Sequence, residues 1–359
     1  MHLTTLKIEN FKNYRLRELM FDLQSNVIVG PNGTGKTTIL DAIHVLSMTK
    51  SFLNSLDSQL IYEGEEYYAI EGKFKDKEEK NLRVYFSKNG KKIIKVNDVV
   101  QDKISDHIGK IPLVIISPED NRLIFEGSDW RRKFMDATIS QWNKKYLQAL
   151  ISYNSFLKQR NALLKNLSGN ASASMLEVFN FKMDKEAEYI FTERVNFMHE
   201  IQPQFDLFHK QISGQQESVQ LIYDHNRERK TYLEMWENSI EQDLRLQYTT
   251  QGIHKEDLKL LIEQKPLKKY ASQGQQKSFL LALKLAQYVY LKNKTGIYPV
   301  LLLDDIHDKI DEKRLFAFFE ILNQNQFGQM FITDTHLDRI SEIFRKLGRN
   351  YSIIHTERL

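Results

Sequence analysis

Apolar and polar positions alternate from Leu3 to Ile8, the pattern of a half-buried strand. Val27-Ile28-Val29 is a short apolar run that ends in a Gly-rich turn, and Thr37 to Met48 then has helical character. Further strand-like stretches are Tyr67 to Phe74, Leu82 to Phe86, Lys92 to Val96 and Leu113 to Ile116. From Trp142 the period changes. Trp142, Tyr146, Leu150, Tyr153, Leu157 and Leu164 fall mostly three or four apart, which marks one helix face. A second stripe runs Met183, Ala187, Ile190, Phe197, Ile201, and the segment between them, Asn166 to Ser174, is small and polar, a loop by composition. Two long antiparallel helices forming a separate lobe are expected there. Strand-like sequence resumes at Val219 to Tyr223 and Leu244 to Thr250. A helix-like segment follows from Gln275 to Leu291, then Gly296, Pro299 and the fully apolar run Val300 to Leu303, the kind of strand buried inside a parallel sheet. Another strand is expected at Gln329 to Thr333, and no internal repeat is visible. The order predicts an α/β domain split by a helical insertion: residues 1–130 and 241–359 as the two parts of one head, and 131–240 as the inserted, mainly helical lobe.

Composition narrows the class. At roughly 150 residues per domain, 359 residues suggest about two domains. The 21 Phe and 16 Tyr exclude disorder as the main state. Cys is absent, which excludes a disulfide scaffold, a Cys-ligated metal site and a cysteine nucleophile. A formal charge of +4 permits nucleic-acid binding without arguing for it, so any basic surface must be local. No run approaches the roughly 18 apolar residues of a membrane span. Met1 to Asn10 lacks a basic stretch followed by an apolar core, so no signal peptide and a cytoplasmic protein are expected.

The strongest chemical signal follows the strand at Val27. Gly30-Pro31-Asn32-Gly33-Thr34-Gly35-Lys36-Thr37 fits the phosphate-binding pattern G-x-x-x-x-G-K-[ST] in full, between an expected strand and an expected helix. Glycines let the backbone curl so that N–H groups face phosphate oxygens, and the helix N-terminus adds partial positive charge. Lys36 is expected on the β- and γ-phosphates of ATP, the Thr37 hydroxyl on Mg²⁺, and Thr38 completes the nucleotide-binding set. The Val300–Leu303 run ends in Asp304-Asp305, a Walker-B arrangement. Asp304 is expected to help hold Mg²⁺, and Asp305 to orient or deprotonate the attacking water. Two carboxylates after a strand also suit a solvated strand exit or the N-cap of the next helix.

Lys36 and Asp304 are separated by 268 positions, far more than in compact small-molecule kinases and GTPases. That layout resembles ABC-type heads of the SMC kind. Ser272-Gln273-Gly274-Gln275-Gln276-Lys277 stands where such proteins carry their ABC motif: an N-cap Ser and a Gly exposing N–H groups at a helix start. The resemblance implies that Ser272, Gly274 and Gln275 contact the γ-phosphate of ATP held by the other subunit. It also implies a fold: an ABC/SMC-type P-loop ATPase head with an inserted helical lobe.

Over nearly its whole length the chain resembles the RecF family of bacterial recombination-repair ATPases. The residues that carry this are Leu6 to Tyr14, with Lys12 where Arg is common, Gly127 to Asp136, Lys158 to Lys165, and the Ser272 motif. Departures occur after Walker B, where Asp304 to Asp311 reads with His307 and Lys309 in place of the family's usual residues, at Gly252 to Asp257, and at Leu53. The resemblance implies an ATP-dependent homodimer on single-stranded, gapped or junction DNA, weak DNA-stimulated ATP hydrolysis, and assistance to RecA loading with RecO and RecR. Phe331 to His336 is a strand and polar turn where ABC proteins carry a switch residue. His336 and Thr335 compete for that role, against the plain reading of a surface turn.

Basic residues are unevenly placed. Nine lysines and three acids lie between Lys255 and Lys294, among them Lys268 and Lys269. Lys88, Lys91, Lys92 and Lys95 surround Asn89-Gly90, an expected hairpin turn, and Arg131, Arg132 and Lys133 form a third group. Together they are candidates for sequence-tolerant contacts to DNA phosphates, with no aromatic base-stacking motif evident. The rival reading is an ABC-type ATPase subunit of a different DNA repair or defence complex. A nuclease of that kind needs an appended acidic metal domain, and the 48 residues after Asp311 are too few for one.

Overall fold

The computed structural model describes every residue except 55, 77, 167–172, 215–216, 228–229, 308–309, 325–326 and 357–359, together with the side chains of 173 and 174. Much of the expected Asn166–Ser174 loop, and Lys309, therefore lie outside the described residues. The chain forms two compact units, one from Met1–Asn121, Gln204–Gln216 and Ser272–Leu359, the other from Arg122–Pro203 and Glu217–Ala271.

The first unit opens with strands β1 (His2–Phe11), β2 (Tyr14–Met20) and β3 (Ser25–Val29), helix α1 (Lys36–Met48), and strands β4 (Tyr67–Lys75), β5 (Glu79–Ser87), β6 (Ile93–Val96), β7 (Val99–Val100) and β8 (Leu113–Ile116). Six of these make an antiparallel sheet in the order β2-β1-β4-β5-β6-β7. The alternation read in β1 has its expected effect: Leu3, Leu6 and Ile8 turn inward and join Ile39, Leu40, Ile43 and Leu46 of α1 in one buried cluster. A tight turn at Lys12-Asn13 pairs Phe11 with Tyr14, with Lys12 in the left-handed region at φ 52°.

The second unit contains α2 (Arg122–Phe125), α3 (Ser128–Ser140), α4 (Lys144–Asn166) and α5 (Ala173–Ser213), whose last turns belong to the first unit. It continues with β9 (Val219–Asp224), α6 (Tyr232–Leu246), β10 (Asp257–Ile262), β11 (Lys265–Pro266) and α7 (Leu267–Tyr270). The two apolar stripes do form long helices. Asn143 Nδ2 reaches Glu193 at 3.0 Å and Arg160 Nε reaches Asn180 at 2.8 Å, so rising numbers on α4 meet falling numbers on α5, an antiparallel pair.

Two expectations fail here. The head was expected to resume at residue 241, yet β10 pairs antiparallel with β9 from Val219↔Ile262 to Asp257↔Asp224. One sheet thus joins residues from both sides of that boundary, and the second unit runs from Arg122 to Ala271 apart from the end of α5. Leu244 to Thr250 is not a strand but the end of α6 and the turn beyond it. A capping box between Thr231 and Glu234 starts this helix. Tyr232, Met235, Trp236, Ser239 and Asp243, three or four apart, form its buried face.

The closing segment returns to the first unit with α8 (Gln273–Thr295), β12 (Val300–Leu303), α9 (Glu312–Asn323), β13 (Met330–Asp334), α10 (Leu337–Lys346) and β14 (Ser352–His355). A second, wholly parallel sheet has the order β14-β3-β13-β12-β8. All four β12 residues are buried, as a continuous apolar run in a parallel strand requires. The strands that end in Gly30 and in Asp304 flank β13, so the C-terminal ends of β3, β13 and β12 lie side by side. Open parallel sheets bind ligands at that edge.

Candidate nucleotide-binding site

Gly30 to Thr37 links β3 to α1 as a loop held from two sides. Gly33 and Gly35 take φ 81° and 92°, the left-handed region that a side chain disfavours. A Cβ on Gly35 would lie 2.6 Å from the Tyr14 ring and 2.7 Å from Asn13 Nδ2, so the glycine admits both the backbone turn and the Tyr14 ring. The Tyr14 hydroxyl donates to the Thr34 carbonyl at 3.0 Å. On the other side Thr34 Oγ1 is paired with Thr356 Oγ1 at 2.6 Å, and the Thr356 N–H donates to the Val29 carbonyl at 2.8 Å. Gly35 is also the N-cap of α1 and offers no capping side chain, so first-turn N–H groups stay available to an anion. The Lys36 ammonium bridges the Gly30 and Pro31 carbonyls at 2.8 and 2.9 Å.

The Walker-B acids arrive as expected at the end of β12. Asp304 Oδ1 accepts from Thr37 Oγ1 at 3.0 Å and from Thr333 Oγ1 at 2.8 Å. Burial raises the Asp304 pKa, and the neighbouring Asp305 charge adds to this against the opposing hydrogen bonds from Thr333 and Thr37. A hydroxyl and a hard carboxylate converging in this way suit Mg²⁺, which normally keeps waters and phosphate oxygens as its other ligands. Among the described residues no group of three His, Asp or Glu side chains gathers to hold a metal alone. The Asp305 N–H donates to Thr333 Oγ1 at 3.1 Å, and its φ of 43° places it in the left-handed region. Asp305 lines one cleft of about 200 Å³ with Gly33, Gly35, Lys36, Thr37 and Thr38.

Two further clefts flank the loop. One of about 510 Å³ is lined by Lys12, Asn13, Asn32 to Thr34, Tyr62 and Glu63. The other, about 540 Å³, has Val29 to Asn32 on one side and Thr335, His336 and Leu337 on the other, with His355. Both switch candidates thus face the phosphate loop, and the geometry does not separate them. Sequence reasoning passed over Tyr14, Thr333 and Thr356 as site residues, and also Asp41. The Asp41 carboxylate, buried on α1, holds Lys12 at 2.5 Å, Ser51 Oγ at 2.7 Å and the Phe52 N–H at 3.0 Å, which fixes the β1–β2 turn to the segment after α1.

Ser272 is the N-cap of α8. Its Oγ accepts the Gln275 N–H at 3.2 Å, and Gln275 Oε1 accepts the Ser272 N–H at 2.7 Å, a complete capping box at an exposed helix start. Gly274 lets Arg314 approach: a Cβ there would meet Nη1 at 2.6 Å. None of the three clefts around the phosphate loop is lined by Ser272, Gly274 or Gln275.

Several of the cations expected to contact DNA have partners within the fold. Arg131 forms a two-pronged pair with Asp257 at 2.7 and 2.8 Å and donates to the Leu123 and Glu126 carbonyls. Arg132 is spent on Asp129 and the Glu256 carbonyl. Lys92 is buried against Asp57 and the Thr49 carbonyl. These three cations are engaged with partners inside the fold. Nor is the Lys255–Lys294 run a single face, since it is divided between the two units, and Lys284 is buried against Asp120 at 2.6 Å. Lys88 is exposed beside Glu66, Lys91 is exposed and Lys95 is half-buried. Lys268 and Lys269 are exposed, and Lys268 donates to the Phe125 carbonyl at 2.8 Å. No helix among the described residues is long and apolar enough to cross a membrane.

Comparison with known proteins agrees with this geometry. The family model for the RecF/RecN/SMC N-terminal domain matches residues 2–357. The DNA replication and repair protein RecF of Flavobacterium johnsoniae is 45% identical over 358 residues, covering 99% of this chain and 100% of that protein. The protein of the same name from Bacteroides thetaiotaomicron is 39% identical over 359 residues, covering 99% and 97%. A solved structure of the recombination mediator protein RecF with ATP, in the RecFOR pathway, superposes with a TM-score of 0.85 at 34% identity, covering 94% of this chain and 92% of that one. An Smc head bound to the winged-helix domain of ScpA shares the fold alone, with a TM-score of 0.55 at 16% identity. The chain belongs to the RecF family of DNA replication and repair ATPases and has the head fold common to that family and the SMC proteins.

Proposed function

We propose that the chain is an ATP-switched DNA clamp of recombinational repair in the cytoplasm. It binds ATP and Mg²⁺, dimerises through the bound nucleotide on single-stranded, gapped or junction DNA, and hydrolyses ATP slowly. The observation that carries this reading is the incompleteness of the site in one chain. The phosphate loop lines clefts shared with Asp305 and with the Thr335–His336 turn, whereas the exposed Ser272 helix start lines none of them. A partner's Ser272, Gly274 and Gln275 would supply the missing N–H groups.

In that reading Lys36 exchanges the Gly30 and Pro31 carbonyls for β- and γ-phosphate oxygens, and the loop N–H groups hold the rest of the triphosphate. Thr37 and Asp304 would hold Mg²⁺, which would supply charge neutralisation for the phosphates. Asp305 orients the attacking water and accepts its proton, and Thr335 or His336 senses the γ-phosphate.

DNA contact then falls to the exposed cations. In the first unit these are Lys88 and Lys91. In the second they are Lys268, which donates to the Phe125 carbonyl, Lys269, beside the exposed Tyr270 in sequence, and Lys133, 4.8 Å from the Trp130 ring centre. Flat rings among cations suit a single strand, which offers both bases and phosphates. Recognition of RecR and RecO and help in loading RecA follow the same family reading. The test is DNA-binding anisotropy across a salt series with ATP present. Lys268→Glu/Lys269→Glu should weaken binding and flatten the log–log salt slope by about 1 to 2; an unchanged slope removes these lysines from the DNA face.

A further inference from the structure

His307, one of the departures in the loop after Walker B, makes a contact that the family pattern does not explain. Its side chain is 9% exposed, and Nε2 lies 2.6 Å from Oδ2 of Asp334, which is 5% exposed. Asp334 ends β13, and its other oxygen, Oδ1, accepts the His336 N–H at 2.8 Å. Burial alone would raise the Asp334 pKa. The contact with His307 and the N–H groups of His336 and Thr335 outweigh burial and bring it below the usual carboxylate range. The carboxylate is therefore ionised at neutral pH, with His307 Nε2 at ion-pair distance from it. One residue earlier, Thr333 Oγ1 accepts the Asp305 N–H and donates to Asp304. Two consecutive residues of β13 thus grip the loop that leaves Walker B, Thr333 through Asp305 and Asp334 through His307.

We propose that His307 is a positioning residue for ATP hydrolysis, which ties the Thr335–His336 turn through Asp334 to the loop carrying Asp305. The acid that activates water and the turn on the γ-phosphate side then keep one relative geometry. The inference rests on the nucleotide reading above. Phosphate binding by Gly30 to Thr38 involves neither residue of the pair, so loss of the contact should separate turnover from affinity. A pair that served stability alone would not produce that split.

The experiment uses the full chain and measures the Kd for Mg²⁺-ADP by calorimetry and steady-state ATP turnover. His307→Phe keeps a ring but removes the Nε2 contact with Asp334. It should lower turnover at least about tenfold with Kd within about twofold of wild type. His307→Gln supplies an N–H and should restore most of the turnover. The isosteric Asp334→Asn should lower turnover as well, and adding His307→Phe to it should cost little more, as for two halves of one interaction. Should His307→Phe fail to fold, Asp334→Asn carries the test. Unchanged turnover in either single variant, an equal fall in His307→Phe and His307→Gln, or additive losses in the double variant overturns the proposal. A wild type that turns over no ATP overturns the nucleotide reading together with this inference, whereas a competent wild type with an indifferent His307→Phe overturns this inference alone.

Discussion

Asp304 shows how one side chain serves two states of the molecule. Its carboxylate is buried, and its pKa is raised above the ordinary 3.8, so the folded chain binds a proton more readily than the unfolded chain. Between 3.8 and the higher folded value the native state holds a proton that the unfolded state has released, so stability falls as pH rises through that window. At neutral pH the full cost of burying the charge is present, and a divalent cation held there would offset it. Asp304→Asn, neutral and of the same shape, should therefore raise the melting temperature of the nucleotide-free protein and abolish Mg²⁺-dependent turnover. Calorimetry and a turnover assay check the two halves, and a lower melting temperature would contradict the burial argument. Gly30 to Thr38 and the two acids were legible in the sequence because each motif is contiguous. Tyr14, Thr333 and Thr356 were not, because a tyrosine or threonine becomes a brace only when its partner arrives. For the Thr34–Thr356 hydroxyl pair that partner is 322 positions away.

At the scale of elements, the second unit is held by charge inside its core. Arg160 of α4 is fully buried and reaches Asp243 of α6 at 2.7 Å, Thr249 at 2.7 Å and Asn180 of α5 at 2.8 Å. Arg160→Met should cost about 3 to 5 kcal/mol by leaving the Asp243 carboxylate buried without its cation. Urea denaturation reads this directly, and a loss under about 1 kcal/mol would mean that the pair behaves like an exposed one. The helices of this unit were readable from periodicity, but their polar interior was not. Arg160 and Asp243 occupy inward positions where a pattern reader expects apolar side chains. The strand expected at Leu244 to Thr250 illustrates the opposite error. Residues 244–250 alternate over a short stretch, yet the helix that the Thr231–Glu234 capping box starts runs on to Leu246. The boundary placed at residue 240 failed for a related reason, since nothing local in β10 reveals that its partner is β9.

For the whole molecule, a net charge of +4 conceals very different cations. Arg131, Arg132, Lys92 and Lys284 are committed to carboxylates within the fold, and Lys88, Lys91, Lys268 and Lys269 remain on the surface. Proximity along the chain says nothing about which charges burial has already paired. The head itself was legible from both ends of the chain, as the Walker strands β3 and β12 and the strand between them are short, apolar and followed by chemistry. What one chain lacks is a Ser272 segment at its own phosphate loop, which the proposed dimerisation through ATP would supply. Light scattering with ATP and Mg²⁺ tests it most directly. The wild type should double in mass, and Lys36→Met and Ser272→Arg should both remain monomeric. A Ser272→Arg protein that still dimerises on ATP would contradict the shared site.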